Sequence, residues 1–199
     1  MNNTQKKVFE RNLTEKMVTN ILKVWEIAKS RQLHLTDWYR EANHTLLEIA
    51  AEYGISLENA AWVCATLSPN LRWDKNIHAT ISFLDEWFGR ERQYVQNAYG
   101  PQVYKCELYM SGELSGLPTG RKVNPFYRNL LGDYSVLTVD RHCGRCVLDG
   151  TKDLEKPTGD VVLGEIEYRC CVAAHEIVSG LLGYSVAELQ AITWQVFNQ

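Results

Sequence analysis

The segment Leu117-Pro-Thr-Gly-Arg-Lys122, followed by Val139-Asp-Arg-His-Cys-Gly-Arg145, decides the fold. The first part predicts a glycine-bounded hairpin that leads into a helix over about 122–131. A short extended run over 135–139 then leads to a second helix over about 141–149, for which Asp140 is a good N-cap. Turn glycines let backbone N–H groups approach an anion, and a helix N-terminus behind them favours phosphate.

Apolar residues recur at helical spacing along most of the remaining chain. Thr36 and Ser56 are predicted N-caps, and the pair Gly100-Pro101 is predicted to break a helix. Residues 150–162 are predicted to form a surface loop. The remaining predicted helices cover about 14–30, 37–53, 57–68, 73–88, 164–182 and 186–197. The fold class is therefore predicted to be all-α, with about ten helices.

Composition and charge limit the classes of protein to which the chain can belong. The chain has 199 residues, of which 45% are hydrophobic and 23% charged, so it is long enough for a core and is not a disordered chain. No apolar run reaches the roughly 20 residues that span a bilayer, and no signal peptide is visible. We therefore expect a cytoplasmic protein with no membrane partner. The net charge is −3, so any polyanion site must be a local basic patch.

The six cysteines raise the question of a metal. Cys143 and Cys146 have the spacing of a zinc knuckle or a redox pair, but a second such pair is missing, since Cys170 and Cys171 are adjacent. We interpret the cysteines as small buried hydrophobic residues, with a metal site as the alternative. His175 is interpreted as a packed or surface histidine. The prediction is that there is no metal site.

The two segments quoted first resemble the helix–hairpin–helix superfamily of DNA glycosylases. Gly120-Arg-Lys122 is similar to the end of the family's hairpin, and Val139-Asp-x-His-x-x-Arg145 is similar to its second motif. Asp140 follows Lys122 by 18 residues, the separation expected in members that also have lyase activity. Upstream, Ala65-Thr-Leu-Ser-Pro-Asn70 looks like the segment that lies at the lesion. The chain also looks like small phage-encoded proteins with a Val-Asp-Arg-His core.

The resemblance implies a particular fold, and it raises the question of whether a cofactor is bound. The fold would be a two-lobed helical DNA glycosylase-like domain over 1–199, with a helix–hairpin–helix element. One lobe would run over about 36–132, with its hairpin at 115–123, and the other would combine 1–35 with 140–199. The family's C-terminal four-cysteine ligand set is absent, so we expect no iron–sulfur cluster and no other cofactor. If the chain is phage-encoded, its location would be the host cytoplasm.

The resemblance also assigns roles to residues. Asp140 would stabilise the positive charge that develops on the sugar during cleavage of the N-glycosidic bond. Lys122 would attack the sugar carbon and form a Schiff base, which gives lyase activity. The partner would be duplex DNA with one nucleotide flipped out of the stack, and Asn70 would fill the gap. The predicted DNA contacts are Asn70, Trp73, Gly116, Thr119, Gly120, Arg121, His142 and Arg145.

Two alternatives remain at this point. The same scaffold would also suit a phage enzyme that transfers groups onto modified pyrimidines, in which the acid activates a nucleophile. A non-catalytic helix–hairpin–helix module that binds DNA or protein is the third hypothesis. Pro118 stands where the family's hairpin has its first glycine, and the chain is acidic overall, and both features favour that third hypothesis.

Overall fold

The computed structural model describes residues 2–35, 37–90, 100–150 and 161–197. Within these ranges the chain is all-α and contains no β-strand. Thr36 and most of the predicted 150–162 loop lie outside the described residues. The nine described α-helices are α1 (Asn3–Ser30), α2 (Trp38–Tyr53), α3 (Leu57–Leu67), α4 (Trp73–Trp87), α5 (Gly100–Met110), α6 (Val123–Leu130), α7 (Arg141–Asp149), α8 (Glu165–Leu182) and α9 (Val186–Phe197).

The chain divides into two compact units. Unit 1 consists of Met1–Tyr39 and Tyr134–Gln199, and unit 2 consists of Arg40–Asp133. The division falls inside α2, between its second and third residues. Each unit has buried apolar residues of its own.

The core of unit 1 is built around α1, which packs against α7, α8 and α9. Met17, Ile21, Val24 and Ala28 lie on one face of α1 at helical spacing and are fully buried. Their partners include Val147 on α7 and several residues on α8 and α9. The cysteines of α7 and α8 belong to this same core.

The centre of unit 2 is α3, which contacts α4, α5 and α6. Every α3 residue from Ala60 to Leu67 is buried, so this helix has no solvent face over that length. Three of those residues are alanines, and small side chains allow neighbouring helices to approach closely. The hydroxyl of Ser56 accepts from the backbone N–H of Asn59 and caps the helix as predicted.

Local signals for helix ends were correct at several positions. Gly183 ends α8 in the left-handed conformation, with a φ of 77°. The Ser185 hydroxyl accepts from the N–H of Glu188, whose carboxylate accepts in return from the N–H of Ser185 at 2.7 Å. A helix that begins at Gly100-Pro101 was not predicted, but α5 starts at this pair, while residues 91–99 before it lie outside the described residues. Proline tolerates a first helical turn, where its missing N–H has no intrahelical partner.

The first helix is longer than predicted. It begins at Asn3 rather than near residue 14, since the Asn2 side chain accepts from the N–H of Gln5 and the Gln5 side chain accepts from the N–H of Asn2. Among the described helices, no single one is both long and apolar enough to cross a bilayer. Taken together, α8 and α9 meet those criteria, but the chain bends by 99° between them.

Candidate functional site

Asp140 is the N-cap of α7 and is held by two donors. Its Oδ1 accepts from the backbone N–H of Cys143 at 2.8 Å, and its Oδ2 accepts from the indole Nε1 of Trp194 at 3.1 Å. The residue is half-buried in unit 1. A carboxylate at a helix N-terminus also interacts favourably with the helix dipole. Asp140 therefore has a fixed side-chain position while part of it remains open to solvent.

An aromatic pocket lies in unit 1 beside the indole that binds Asp140. Its volume is about 220 Å³. Trp38 lines it, and the Trp38 ring packs on the Trp194 ring with centroids 5.4 Å apart. Tyr39 also lines it, and the Tyr39 hydroxyl donates to Gln190 at 3.0 Å. The described lining residues are His34, Leu35, Asp37, Trp38, Tyr39, Tyr184, Glu188, Ala191 and Ile192.

The sequence prediction missed this pocket. None of its described lining residues is among the predicted site residues, because the pocket combines residues from two distant parts of the chain, 34–39 and 184–192. The aromatic residues at the start of α2 gave no signal of a shared cavity with α9.

The other predicted residues of unit 1 lie on α7. His142 and Arg145 are both half-buried. The His142 ring meets the Trp194 ring edge-on, with centroids 6.3 Å apart. His142 is therefore a neighbour of the indole that binds Asp140.

The predicted hairpin belongs to unit 2 and has the backbone that its glycines suggested. Gly116 and Gly120 have φ values of 90° and 114°, a region that other residues seldom adopt. The indole Nε1 of Trp62 donates to the carbonyl of Gly116 at 3.1 Å, which ties the turn to α3. Asn124 donates to the carbonyl of Pro118 at 3.0 Å. Gly116, Thr119, Gly120 and Arg121 are all exposed.

Lys122 connects this hairpin to the turn that carries Asn70. Its ammonium Nζ donates to the backbone carbonyl of Ser68 at 3.3 Å and lies 5.8 Å from the centre of the Phe126 ring. Lys122 is half-buried at the N-cap of α6. Asn70 is exposed and has a φ of 63°, in a turn closed by the N–H of Leu71 donating to Ser68. Trp73, the first residue of α4, is half-buried.

The predicted residues are thus assembled in two sets. Asp140, His142 and Arg145 belong to unit 1. In unit 2, the carbonyl of Ser68 accepts hydrogen bonds from the Lys122 Nζ and from the N–H of Leu71, which closes the turn that carries Asn70. Trp73 and the exposed hairpin residues also belong to unit 2.

A second group of reactive side chains lies in unit 1 and was not predicted as a site. We call Cys143, Cys171 and His175 the thiol–imidazole cluster. The two Sγ atoms are 3.7 Å apart, and the Nε2 of His175 is 3.8 Å from the Sγ of Cys143. All three residues are buried, and one ligand atom from each lies within 4.8 Å of the others. Such a group has the donor types and the closeness that a metal ion requires.

Contacts within the cluster shift the pKa values of its two thiols in opposite directions. The hydrogen bond between the Cys143 and Cys171 thiols, together with the nearby imidazole of His175, lowers the pKa of Cys171. The same hydrogen bond and burial raise the pKa of Cys143. Outside the cluster, burial raises the pKa of Cys64 to about 12. The pKa of Cys171 is thus shifted downward, whereas those of Cys64, Cys106, Cys143 and Cys146 are shifted upward.

Comparison with known proteins identifies a family, but the function of that family is unknown. A family model described as "Family of unknown function (DUF7178)" matches residues 3–199. No curated protein matches the chain. No solved structure matches it either.

Proposed function

The chain belongs to the DUF7178 family of unknown function, and we propose for it the activity of a DNA glycosylase-like enzyme. The substrate would be a damaged or modified base that has left the duplex stack, and the reaction would cleave its N-glycosidic bond. One observation carries the proposal: a fixed, half-buried carboxylate, Asp140, is linked by the Trp194–Trp38 pair to an aromatic pocket.

The chemistry rests on the charge of Asp140. Cleavage of the bond between C1′ and the base develops positive charge on the sugar, which a nearby carboxylate stabilises. The same carboxylate can orient a water molecule and accept its proton as the water adds to C1′. Two donors fix the side chain before a substrate binds, so little reorganisation is needed at the moment of reaction.

The aromatic pocket supports recognition of a base. Enzymes that act on a flipped base stack it between aromatic or apolar side chains and read its edge with hydrogen-bonding groups. Trp38, Tyr39 and Tyr184 supply aromatic faces in this pocket. Asp37 and Glu188 supply acceptors suited to the exocyclic amino group or ring N–H of a base.

Unit 2 supports a role in holding the strand. The exposed turn over 116–120 offers backbone N–H groups to a phosphate, and Arg121 adds a positive charge beside them. Asn70, at the tip of an exposed turn, is the residue proposed to enter the gap in the stack. Lys122 is proposed as the amine that forms the Schiff base in a lyase step.

The decisive experiment incubates the full chain with duplex oligonucleotides, each of which contains one damaged or modified base. We expect release of one base type, with strand breaks at the abasic product after alkali treatment. Asp140→Asn should lower that rate by about 100-fold or more, since asparagine is an equally good N-cap but has no charge. Full activity of Asp140→Asn, with its helical content unchanged, would refute the assigned role.

Lyase activity has its own test. Borohydride reduces a Schiff base to a stable amine, so it should link the wild-type chain covalently to the substrate strand. Lys122→Ala should abolish this product, whereas Lys75→Ala, which removes an exposed lysine of α4 in the same unit, should not. Equal trapping by both variants would exclude Lys122 as the nucleophile.

A non-catalytic binding module is the second candidate, and one observation favours it. Both carboxylate oxygens of Asp140 already accept hydrogen bonds, which is sufficient for a purely structural N-cap. This candidate predicts binding to duplex DNA without product from any substrate, and equal affinity for Asp140→Asn. Affinity that falls as salt rises would indicate contacts to phosphates.

A further inference from the structure

The thiol–imidazole cluster has the spacing of a tetrahedral metal site. Zinc binds cysteine sulfur at about 2.3 Å and histidine nitrogen at about 2.0–2.1 Å, which places two sulfurs ~3.8 Å apart and a sulfur and a nitrogen ~3.6 Å apart. The two sulfurs of Cys143 and Cys171 are 3.7 Å apart, and the Sγ of Cys143 is 3.8 Å from the Nε2 of His175. We propose that Cys143, Cys171 and His175 bind one zinc ion.

The histidine is oriented for this role by its own helix. Its Nδ1 lies 2.9 Å from the backbone carbonyl of Cys171, so Nδ1 carries the proton and donates it to that oxygen. The lone pair then lies on Nε2, the nitrogen nearest to the Cys143 sulfur. Histidines that bind zinc commonly donate their other ring N–H to a carbonyl or carboxylate, which fixes the ring and the tautomer.

The two helices present the ligands at suitable spacing. Cys171 and His175 are four residues apart, so they lie on one face of α8. Cys143 lies on α7, and its sulfur faces this pair from the neighbouring helix. Cys146, one turn from Cys143, is buried but lies outside the group of ligand atoms within 4.8 Å of one another. Cysteine sulfur and histidine nitrogen are the usual ligands of zinc in proteins.

Soft thiolate ligands and a tetrahedral arrangement select zinc over magnesium or calcium, which prefer oxygen. The two cysteines would bind as thiolates, so binding releases the protons that their thiols carry, while His175 coordinates through its neutral Nε2. No electron transfer is involved. All three side chains are buried in the core of unit 1, so the bound ion would stabilise the packing of α7 on α8.

The polar atoms of His175 find their partners within the cluster and its own helix. His175 is fully buried in an otherwise apolar core, where a polar ring is costly unless its polar atoms have partners, and its Nδ1 faces the Cys171 carbonyl while its Nε2 faces the Cys143 sulfur. The adjacent Cys170 is also buried, but its thiol donates to the carbonyl of Glu10 on α1 at 3.5 Å, and it is not part of the ligand group. Cys170 is therefore a matched control on the same helix.

The first test is a metal analysis of the full chain. The protein is purified under reducing conditions without chelator, dialysed extensively and analysed for metals by mass spectrometry. We expect one zinc per chain in the wild type and in Cys170→Ser, and a large loss in Cys171→Ser and His175→Gln. An absence of zinc in the wild type, or equal zinc in all four proteins, would overturn the proposal.

The second test does not depend on folding of the variants. Wild-type protein is stripped with a chelator and titrated with Co²⁺, which gives intense visible absorption in a tetrahedral site with thiolate ligands. We expect that spectrum at one equivalent, its loss on addition of Zn²⁺, and a lower midpoint of thermal unfolding in the stripped protein. No spectral change in a folded, stripped protein would contradict the site, as would a Cys143–Cys171 disulfide in freshly purified protein.

Cys146→Ala is a second control, because Cys146 is a buried cysteine one turn from Cys143 that lies outside the three-residue group. We expect this variant to keep one zinc per chain and the cobalt spectrum. Loss of zinc in Cys146→Ala with zinc retained in Cys171→Ser would contradict the assigned ligand set. None of these readouts uses DNA, so the zinc site and the proposed glycosylase activity succeed or fail separately.

Discussion

The indole of Trp194 donates its Nε1–H to Asp140, the residue that caps α7, across 54 positions of sequence. The same indole packs against Trp38 at the edge of the aromatic pocket. Trp194 therefore links the orientation of the carboxylate to the shape of the pocket. Its side chain makes two separable contributions, a hydrogen bond and a large packed surface.

Trp194→Phe removes the hydrogen bond and keeps most of the packing. We expect a loss of about 0.5–1.5 kcal/mol in the free energy of unfolding, which is the usual net value of one hydrogen bond. Urea denaturation measures it. Trp25→Phe is the matched control, because the indole N–H of Trp25 on α1 has no hydrogen-bond partner among the described residues. An equal loss in both variants would show that only ring size matters.

Asp140→Asn is expected to leave the indole N–H of Trp194 without an acceptor. An asparagine side chain has one carbonyl oxygen and one amino group, so when its oxygen accepts from the N–H of Cys143, its amino group faces another donor, the Trp194 N–H. Adding Trp194→Phe removes that stranded donor. The double variant should therefore be more stable than the sum of the two single changes predicts, by about 1 kcal/mol. Simple additivity in urea denaturation would mean that the two side chains are not coupled in solution.

Local chemistry made much of the fold predictable. Ser56 and Asp140 were identified as helix starts because capping depends on a residue's own side chain and on its immediate neighbours. The start of α5 at Gly100-Pro101 was not predicted, because proline is compatible with either the end or the beginning of a helix. Sequence alone does not say which one applies.

The thiol–imidazole cluster could not be recognised from spacing on one segment. Cys143 lies on α7 and its partners on α8, and only the packing of both helices against α1 joins them. A signal was nevertheless present: Cys171 and His175 are four apart in a predicted helix, which places them on one face. This Cys-x3-His pair, and not a second Cys-x2-Cys pair, is the partner of Cys143.

Asn20 of α1 closes the C-terminal end of α7. Its Nδ2 donates to the carbonyls of Val147 and Leu148 at 2.9 and 3.2 Å. Asn20→Ala leaves two carbonyls without that donor and should cost about 1–3 kcal/mol of unfolding free energy. Asn12→Ala, an exposed change on the same helix, should cost much less. Equal losses would indicate that the effect comes from α1 itself and not from α7.

Trp62 holds the hairpin of unit 2 through its indole N–H, which donates to Gly116, and its ring stacks on Tyr109 with centroids 4.1 Å apart. Trp62→Phe keeps an aromatic ring for that stack but removes the donor. We expect a loss of about 0.5–1.5 kcal/mol and faster amide exchange over 115–120, measured by mass spectrometry. Trp87→Phe changes a partly exposed indole on α4 and should leave exchange in the hairpin unchanged. If the turn contacts phosphate as proposed, Trp62→Phe should also weaken duplex binding, because a loosened turn must be ordered again on binding. Unaltered exchange over 115–120 would show that the turn holds its shape without Trp62.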